Sequence, residues 1–114
     1  MTGQHVPSAD SAVVEERKIL GYLLNLDHED GHGKAKFLMS FGFTREDWHV
    51  LRDALRRHCT RHLIAKTKES PPYGVNFSVD CALETPDRRN PCIRTVWEVK
   101  PQAAPRLITA HPKK

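Results

Sequence analysis

Hydrophobic positions in the first half of the chain recur at helical intervals. Over residues 11–25, apolar side chains fall three and four positions apart, which predicts a helix with one buried stripe. The polar segment 26–33 contains two glycines and predicts a solvent-facing loop, followed by a short helix over 34–40. Thr44 and the acidic residues after it resemble a helix start, so a longer amphipathic helix is predicted over 45–61.

The pattern changes period from 3.6 to 2 after the two prolines at 71–72. Strict alternation predicts strands over 75–83 and 93–99, with shorter strands over 106–111 and, more weakly, 63–68. The short links between these strands favour antiparallel pairing, and the helices that precede them must cover one face of the sheet. The predicted class is therefore α+β, with N-terminal helices packed on one face of a three- to four-stranded antiparallel sheet.

A chain of 114 residues has room for one small domain. We expect this domain over residues 13–112, with a loose N-terminal tail over 1–12 and a C-terminal tail over 113–114. The sequence contains no apolar run long enough for a membrane span, and the first ten residues do not resemble a secretory signal, so a cytoplasmic location is expected. The net charge of +4 is compatible with a polyanionic partner but does not require one.

The cysteine count argues against a disulfide framework. The three cysteines are an odd number and include no Cys-x-x-Cys pair. Each is interpreted as a small, partly buried side chain rather than a nucleophile or a zinc ligand. They are Cys59, Cys81 and Cys92.

Histidine spacing raises the question of a metal site. His28 and His32 are four residues apart, as are His58 and His62, and this spacing aligns two ligands only on a helix. Glycines disfavour a helix around the first pair, and Cys59 does not share a helical face with the second. No metal site is therefore expected.

Two regions concentrate polar chemistry. Residues 28–36 combine imidazoles, lysines and glycines at the start of a helix, where backbone N–H groups favour an anion such as phosphate. The glycine spacing matches no nucleotide-binding motif, so a plain polar loop remains the alternative. On the strands, a guanidinium, two hydroxyls and an imidazole would come close together, although a strand threonine is often only a good β-former. These strand residues are Arg94, Thr95, Thr109 and His111.

Several short segments resemble an uncharacterised bacterial domain family over about residues 17–112. They are Lys18 to Asn25, Asp27-His28, Gly33 to Phe37, Gly42 to Trp48, Pro72-Tyr73-Gly74, Arg94 to Trp97 and Pro105 to Ala110. Members of that family occur alone and at the C-termini of polymorphic-toxin or phage-related proteins. The family in turn looks like the barnase/EndoU/colicin/RelE nuclease group, which has a helical N-terminal half followed by a four-stranded antiparallel sheet. This chain has His111 where the family usually has tyrosine.

The resemblance implies a toxin-type ribonuclease that needs no metal or other cofactor. In this chemistry a base activates the ribose 2′-hydroxyl for attack on the adjacent phosphate, and an acid protonates the leaving oxygen. The resemblance suggests His28 as base or acid and Lys34 with Arg94 as stabilisers of the phosphorane. Thr95 and Thr109 would hydrogen-bond phosphate oxygens. His111 completes the predicted catalytic set, and the predicted RNA-positioning residues are Lys36, Arg52 and Arg56.

The expected partners are RNA, such as tRNA or mRNA, and a cognate antitoxin or immunity protein. The alternative is a non-catalytic binding module, itself an immunity protein, antitoxin or adaptor, that uses the same sheet to hold a partner. Nucleic-acid binding without cleavage is a third interpretation. The nuclease hypothesis requires the region around His28 to meet the C-terminal strands in one pocket.

Overall fold

The structure, a computed structural model, describes residues 3–69 and 74–113. Its helical half contains a 3-10 turn at Ala9–Ser11, then α1 at Glu16–Lys18, which continues as a π-helical segment at Ile19–Leu23. Helix α2 spans His32–Met39 and helix α3 spans Trp48–Arg61. The strands are β1 at Ile64–Glu69, β2 at Val75–Ala82, β3 at Cys92–Val99 and β4 at Arg106–Pro112.

The four strands form one antiparallel sheet in the order β1-β2-β3-β4. β2 and β3 pair without interruption from Val75↔Val99 to Ala82↔Cys92. The β3–β4 register shifts between Val96 and Trp97, which is a β-bulge in which β4 has one extra residue. The helices come first in the chain, and short connections join the antiparallel strands that follow. The predicted α+β fold is therefore confirmed.

One face of the sheet forms the core with the helices. Alternate strand residues such as Ile93, Trp97 and Leu107 are at most 1% exposed, and they share one cluster with Leu51 and Leu55 of α3. Helix α3 packs against β2 and β3, whereas α2 packs against β4. The opposite face, which carries the intervening side chains, is only partly buried. Polar groups on that face are therefore placed where a partner molecule can reach them.

Residues 3–12 are packed, which corrects the expectation of a loose tail. Val6, Ala9 and Ala12 belong to the buried core cluster. Val13 then lies beside β4 in a parallel bridge with Arg106, so the first helix begins only at residue 16 rather than at residue 11. The side chains of Val6, Ala9 and Ala12 are spaced three residues apart, and only Ala9–Ser11 within the segment forms a 3-10 turn. Lys114, in the predicted C-terminal tail, lies outside the described residues.

Cys81 departs from the alternation that predicted it to be buried. Its backbone has φ 122°, a conformation that L-residues rarely adopt, and its side chain is exposed. The Cys81 carbonyl instead faces the helices and accepts a 2.7 Å hydrogen bond from the buried His58 Nε2. Cys92 is half-buried, as expected, and Cys59 is fully buried.

Candidate functional site

An open groove with a volume of about 500 Å³ lies between the helical half and β4. Its walls come from α1 and the π-helical segment, from the 28–34 region, and from β4. The lining residues are Lys18, Tyr22, His28, Lys34, Ile108, Thr109 and His111. The region around position 30 and the last strand, more than 70 residues apart in sequence, therefore meet at one groove.

Tyr22 connects the two sides of the groove. Its hydroxyl lies 3.3 Å from Thr109 Oγ1, within hydrogen-bonding distance. On the other side, Gly31 packs directly against Tyr22, and a Cβ at position 31 would lie only 2.6 Å from the Tyr22 carbonyl oxygen. Glycine is therefore needed at position 31 for close backbone packing, which brings the loop against the helix.

His28, which lines the groove, is held in one tautomer. Its Nδ1 accepts backbone N–H bonds from Asp30 at 3.0 Å and from Gly31 at 2.9 Å. Because Nδ1 is the acceptor, the hydrogen of the neutral ring lies on Nε2. The ring also contacts Tyr22 edge to face, with centroids 5.0 Å apart. In this arrangement His28 Nε2 can donate to an anion but has no lone pair with which to accept a proton.

His111 has the opposite arrangement. Its Nδ1 lies 3.2 Å from the Pro112 carbonyl oxygen, which can only accept, so Nδ1 is the donor. The lone pair of the neutral ring is then on Nε2, which contacts no hydrogen-bond partner among the described residues. The two imidazoles at the groove thus provide one N–H donor and one proton acceptor.

Two lysines give the groove its positive charge. Lys18 Nζ and Lys34 Nζ lie 5.4 and 5.5 Å from the centroid of the Tyr22 ring. Among the described residues that line the groove, none is an aspartate or glutamate. The groove is therefore suited to an anion.

The β-bulge explains how β4 presents its polar residues. Leu107 and Ala110 both face the core, and the extra residue, Ile108, resets the alternation between them. Thr109 and His111 consequently share the accessible face of the sheet. If Ile108 instead continued the regular alternation from Leu107, Thr109 and His111 would face the core.

Arg94 lies beside His111 in the strand register but is already paired. Its guanidinium donates to both carboxylate oxygens of Asp80, at 2.7 and 2.8 Å. This hydrogen bonding with Arg94 holds the pKa of Asp80 below its ordinary value. Arg94 does not line the groove, and its charge is balanced by a carboxylate.

Thr95, predicted to contact phosphate, lies in the core and is 0% exposed. Its Oγ1 accepts a 2.8 Å hydrogen bond from Trp97 Nε1 and lies 3.1 Å from His58 Nδ1. The alternation of β3 points Thr95 to the face opposite Arg94, so it cannot meet a ligand in the groove. Its interpretation as a site residue is corrected to a buried structural role.

The predicted RNA-positioning residues lie outside the groove. Lys36 is exposed on α2. Arg52 forms an ion pair with its neighbour Asp53 at 2.9 Å, and Arg56 donates to the Asp10 carbonyl at 3.4 Å. The arginine face of α3 is therefore partly committed to contacts within the chain.

Lys18 and Tyr22 line the groove but are not among the site residues predicted from the sequence. Both belong to a helical stretch that was interpreted as an apolar stripe, although a polar-tipped Tyr22 four residues after Lys18 is the signal that could have indicated a site there. Within residues 3–69 and 74–113, no group of three or more His, Cys, Asp and Glu side chains is arranged to hold a metal ion. In the same residues, no helix has the length and hydrophobicity required to cross a bilayer.

Fold and groove together define a small α+β domain with a basic, histidine-containing groove at the edge of its sheet. The chain belongs to the family described as a domain of unknown function, DUF6883, whose model matches residues 5–114. The expectation of an uncharacterised domain family is thus confirmed, whereas the nuclease group stays a prediction.

The fold also occurs in a solved structure. It is similar to a chain in the contact-dependent growth inhibition toxin–immunity protein complex from Klebsiella pneumoniae 342, with a TM-score of 0.73 and 19% identity. The alignment covers 96% of this chain and 99% of that one. Identity at this level establishes a shared fold alone. Comparison with curated proteins gave no match.

Proposed function

We propose that the protein is a toxin-type endoribonuclease that cleaves RNA at the groove without a metal ion. The observation that carries this proposal is the presence of His28, Lys34, Thr109 and His111 on one groove with complementary imidazole tautomers. The fold shared with a chain of a toxin–immunity protein complex supports a role in a toxin system.

The geometry suggests a division of roles. His111 Nε2, which carries a lone pair, accepts the proton of the ribose 2′-hydroxyl as that oxygen attacks phosphorus. His28 Nε2–H donates to a non-bridging phosphate oxygen, where negative charge increases in the transition state. Thr109 hydrogen-bonds the phosphate beside them. Lys34 offers both positive charge and a proton for the leaving 5′-oxygen.

In the proposed reaction Thr95 does not contact the RNA, and Arg94 acts only indirectly. Arg94, held by Asp80, lies next to His111 in the register and can fix the local position of β4. RNA affinity then depends mainly on the lysines of the groove and falls as salt concentration rises.

The test is cleavage of total RNA by the purified chain in the presence of EDTA, with 2′,3′-cyclic phosphate ends as the readout. We expect His111→Ala to lower the rate about 10²- to 10⁴-fold, since it removes the general base. Loss of one oxyanion donor in His28→Asn should lower it about 10²- to 10³-fold. Asparagine can still accept the two backbone N–H groups, so the loop should keep its shape.

His49→Ala is the matched control, because His49 is an exposed imidazole on α3 outside the groove. Its cleavage rate should equal that of the unmodified chain. Equal rates for His111→Ala and His49→Ala would refute the proposal, as would RNA left intact by the unmodified chain.

A second candidate is an immunity protein, because the solved structure with the same fold comes from a complex that contains both kinds of protein. Induced expression in cells separates the two. A ribonuclease toxin arrests growth unless a cognate inhibitor is present, whereas an immunity protein leaves growth unchanged and protects cells against a partner toxin.

A further inference from the structure

Two cysteines whose positions in the sequence predict a packing role meet at the surface. Cys81 at the end of β2 and Cys92 at the start of β3 have their Sγ atoms 2.8 Å apart. Cys81 is exposed and Cys92 is half-buried, so small reagents can reach the pair. We propose that Cys81 and Cys92 form a reversible disulfide when the chain meets a disulfide oxidant.

The backbone brings the two sulfurs together. By strand register Cys81 pairs with Ile93, and Cys92 pairs with Ala82, so ordinary alternation would place the two side chains on opposite faces. The unusual φ of 122° at Cys81 turns its side chain out of the core and toward Cys92. The hydrogen bond from His58 Nε2 to the Cys81 carbonyl anchors this turned peptide on the core side. Closing the bond requires the sulfurs to approach by less than about 1 Å.

The two sulfurs have different roles in the exchange. The exposed Cys81 attacks the oxidant as a thiolate, forms a mixed disulfide, and releases one equivalent of thiol. Cys92, whose S–H donates to Cys81 Sγ, then loses its proton and attacks the Cys81 sulfur, releasing the second equivalent. Two electrons and two protons thus pass from the protein to the disulfide oxidant.

The third cysteine provides an internal control. Cys59 is 0% exposed, and burial raises the pKa of its thiol to about 12. A thiol that is neither accessible nor ionised does not exchange with disulfides. Oxidation should therefore stop at one bridge per chain, with Cys59 left as a thiol.

The experiment equilibrates the purified chain in glutathione buffers from fully reduced to fully oxidised, followed by acid quench, alkylation and mass spectrometry. We expect the oxidised chain to lose two hydrogen atoms, to contain one peptide linked through Cys81 and Cys92, and to keep one alkylatable thiol at Cys59. Closing this short loop should also raise the Tm by on the order of 10 °C.

Matched serine variants make the result decisive. Cys92→Ser leaves the attacking thiol without its partner, so it should accumulate a stable glutathione adduct at Cys81. Cys81→Ser should remain largely unmodified. The proposal is wrong if the unmodified chain stays fully reduced in excess oxidised glutathione, if it retains the adduct instead of closing the bridge, or if the bridge includes Cys59.

Discussion

The buried His58 should make the stability of the fold depend on pH between about 4 and 6.5, mostly above the range in which carboxylates titrate. His58 is 2% exposed, and burial is the main cause that lowers its pKa from 6.5 to about 4. Its Nε2 donates to the Cys81 carbonyl, so its Nδ1 is left to accept from the Thr95 hydroxyl. The Thr95 oxygen in turn accepts from Trp97. The neutral imidazole fits this network, and burial disfavours its charged form.

The sign follows from which state binds the proton. In the unfolded chain His58 titrates near 6.5, whereas in the folded chain it stays neutral until about pH 4. The stabilisation is thus fully present above pH 6.5 and is lost as pH falls toward 4. Each pH unit in this window costs about 1.4 kcal/mol, so the full loss is about 3 kcal/mol. Between pH 7.5 and pH 5 the free energy of unfolding should fall by about 2 kcal/mol from this group alone.

Urea denaturation followed by tryptophan fluorescence at half-unit pH steps measures this dependence. His58→Gln keeps an amide that can donate and accept but cannot titrate, so its stability should be about 2 kcal/mol less sensitive to pH between 7.5 and 5. His49→Gln, which changes an exposed histidine of the same helix, should keep the full dependence. Equal slopes for the unmodified chain and His58→Gln would refute the reasoning. Carboxylates with lowered pKa do not interfere, because their contributions are lost only below about pH 4.5; they are Asp53, Asp80, Glu84 and Asp87.

Two substitutions test the placement of single residues. Thr95→Val should destabilise the fold by about 1–3 kcal/mol in urea denaturation, because it leaves the Trp97 N–H and the His58 Nδ1 without a partner. The RNA cleavage rate of the folded variant should not change; a large loss of rate would contradict the core assignment of Thr95. Gly31→Ala should displace the Tyr22 backbone and lower both stability and cleavage, since the new Cβ would meet its carbonyl oxygen at 2.6 Å. A crystal structure of Gly31→Ala with an unmoved groove would contradict that expectation.

The sheet was predictable because its signal is local. Alternation along residues 75–82 and 92–99 needs no knowledge of distant contacts, and both strands are found within one residue of the predicted ends. Residues 3–12 were not predictable in the same way. Their three buried side chains are spaced three residues apart, and so short an apolar pattern does not predict whether the segment packs on the rest of the chain.

Residue type points to part of the candidate site, but the geometry of that site does not follow from the sequence. A histidine and a lysine beside glycines are compatible with anion binding and with a plain polar loop, and the structure brings His28 and Lys34 to the groove. Which strand residues line the groove with His28 and Lys34 depends on the sheet face that each side chain occupies and on the strand register. Strict alternation cannot anticipate the inserted Ile108, and composition cannot show that Arg94 is already occupied by Asp80 across the strand pair.

The two histidines that line the groove, His28 and His111, differ from the buried His58 in the hydrogen bonds of their ring nitrogens. Both ring nitrogens of His58 have hydrogen-bond partners inside the fold. His58 therefore has no nitrogen available for a ligand, and it contributes to the stability of the fold. His28 and His111, which line the groove, each have only Nδ1 hydrogen-bonded, to the backbone of their own segment, and the Nε2 of each has no hydrogen-bond partner among the described residues. The hydrogen bond at Nδ1 sets the tautomer and limits rotation of the ring. Less side-chain conformational entropy is therefore lost when a ligand binds. Because the two fixed tautomers are opposite, one phosphate between them would meet a donor and a proton acceptor at once, which is the combination that attack by a 2′-hydroxyl requires.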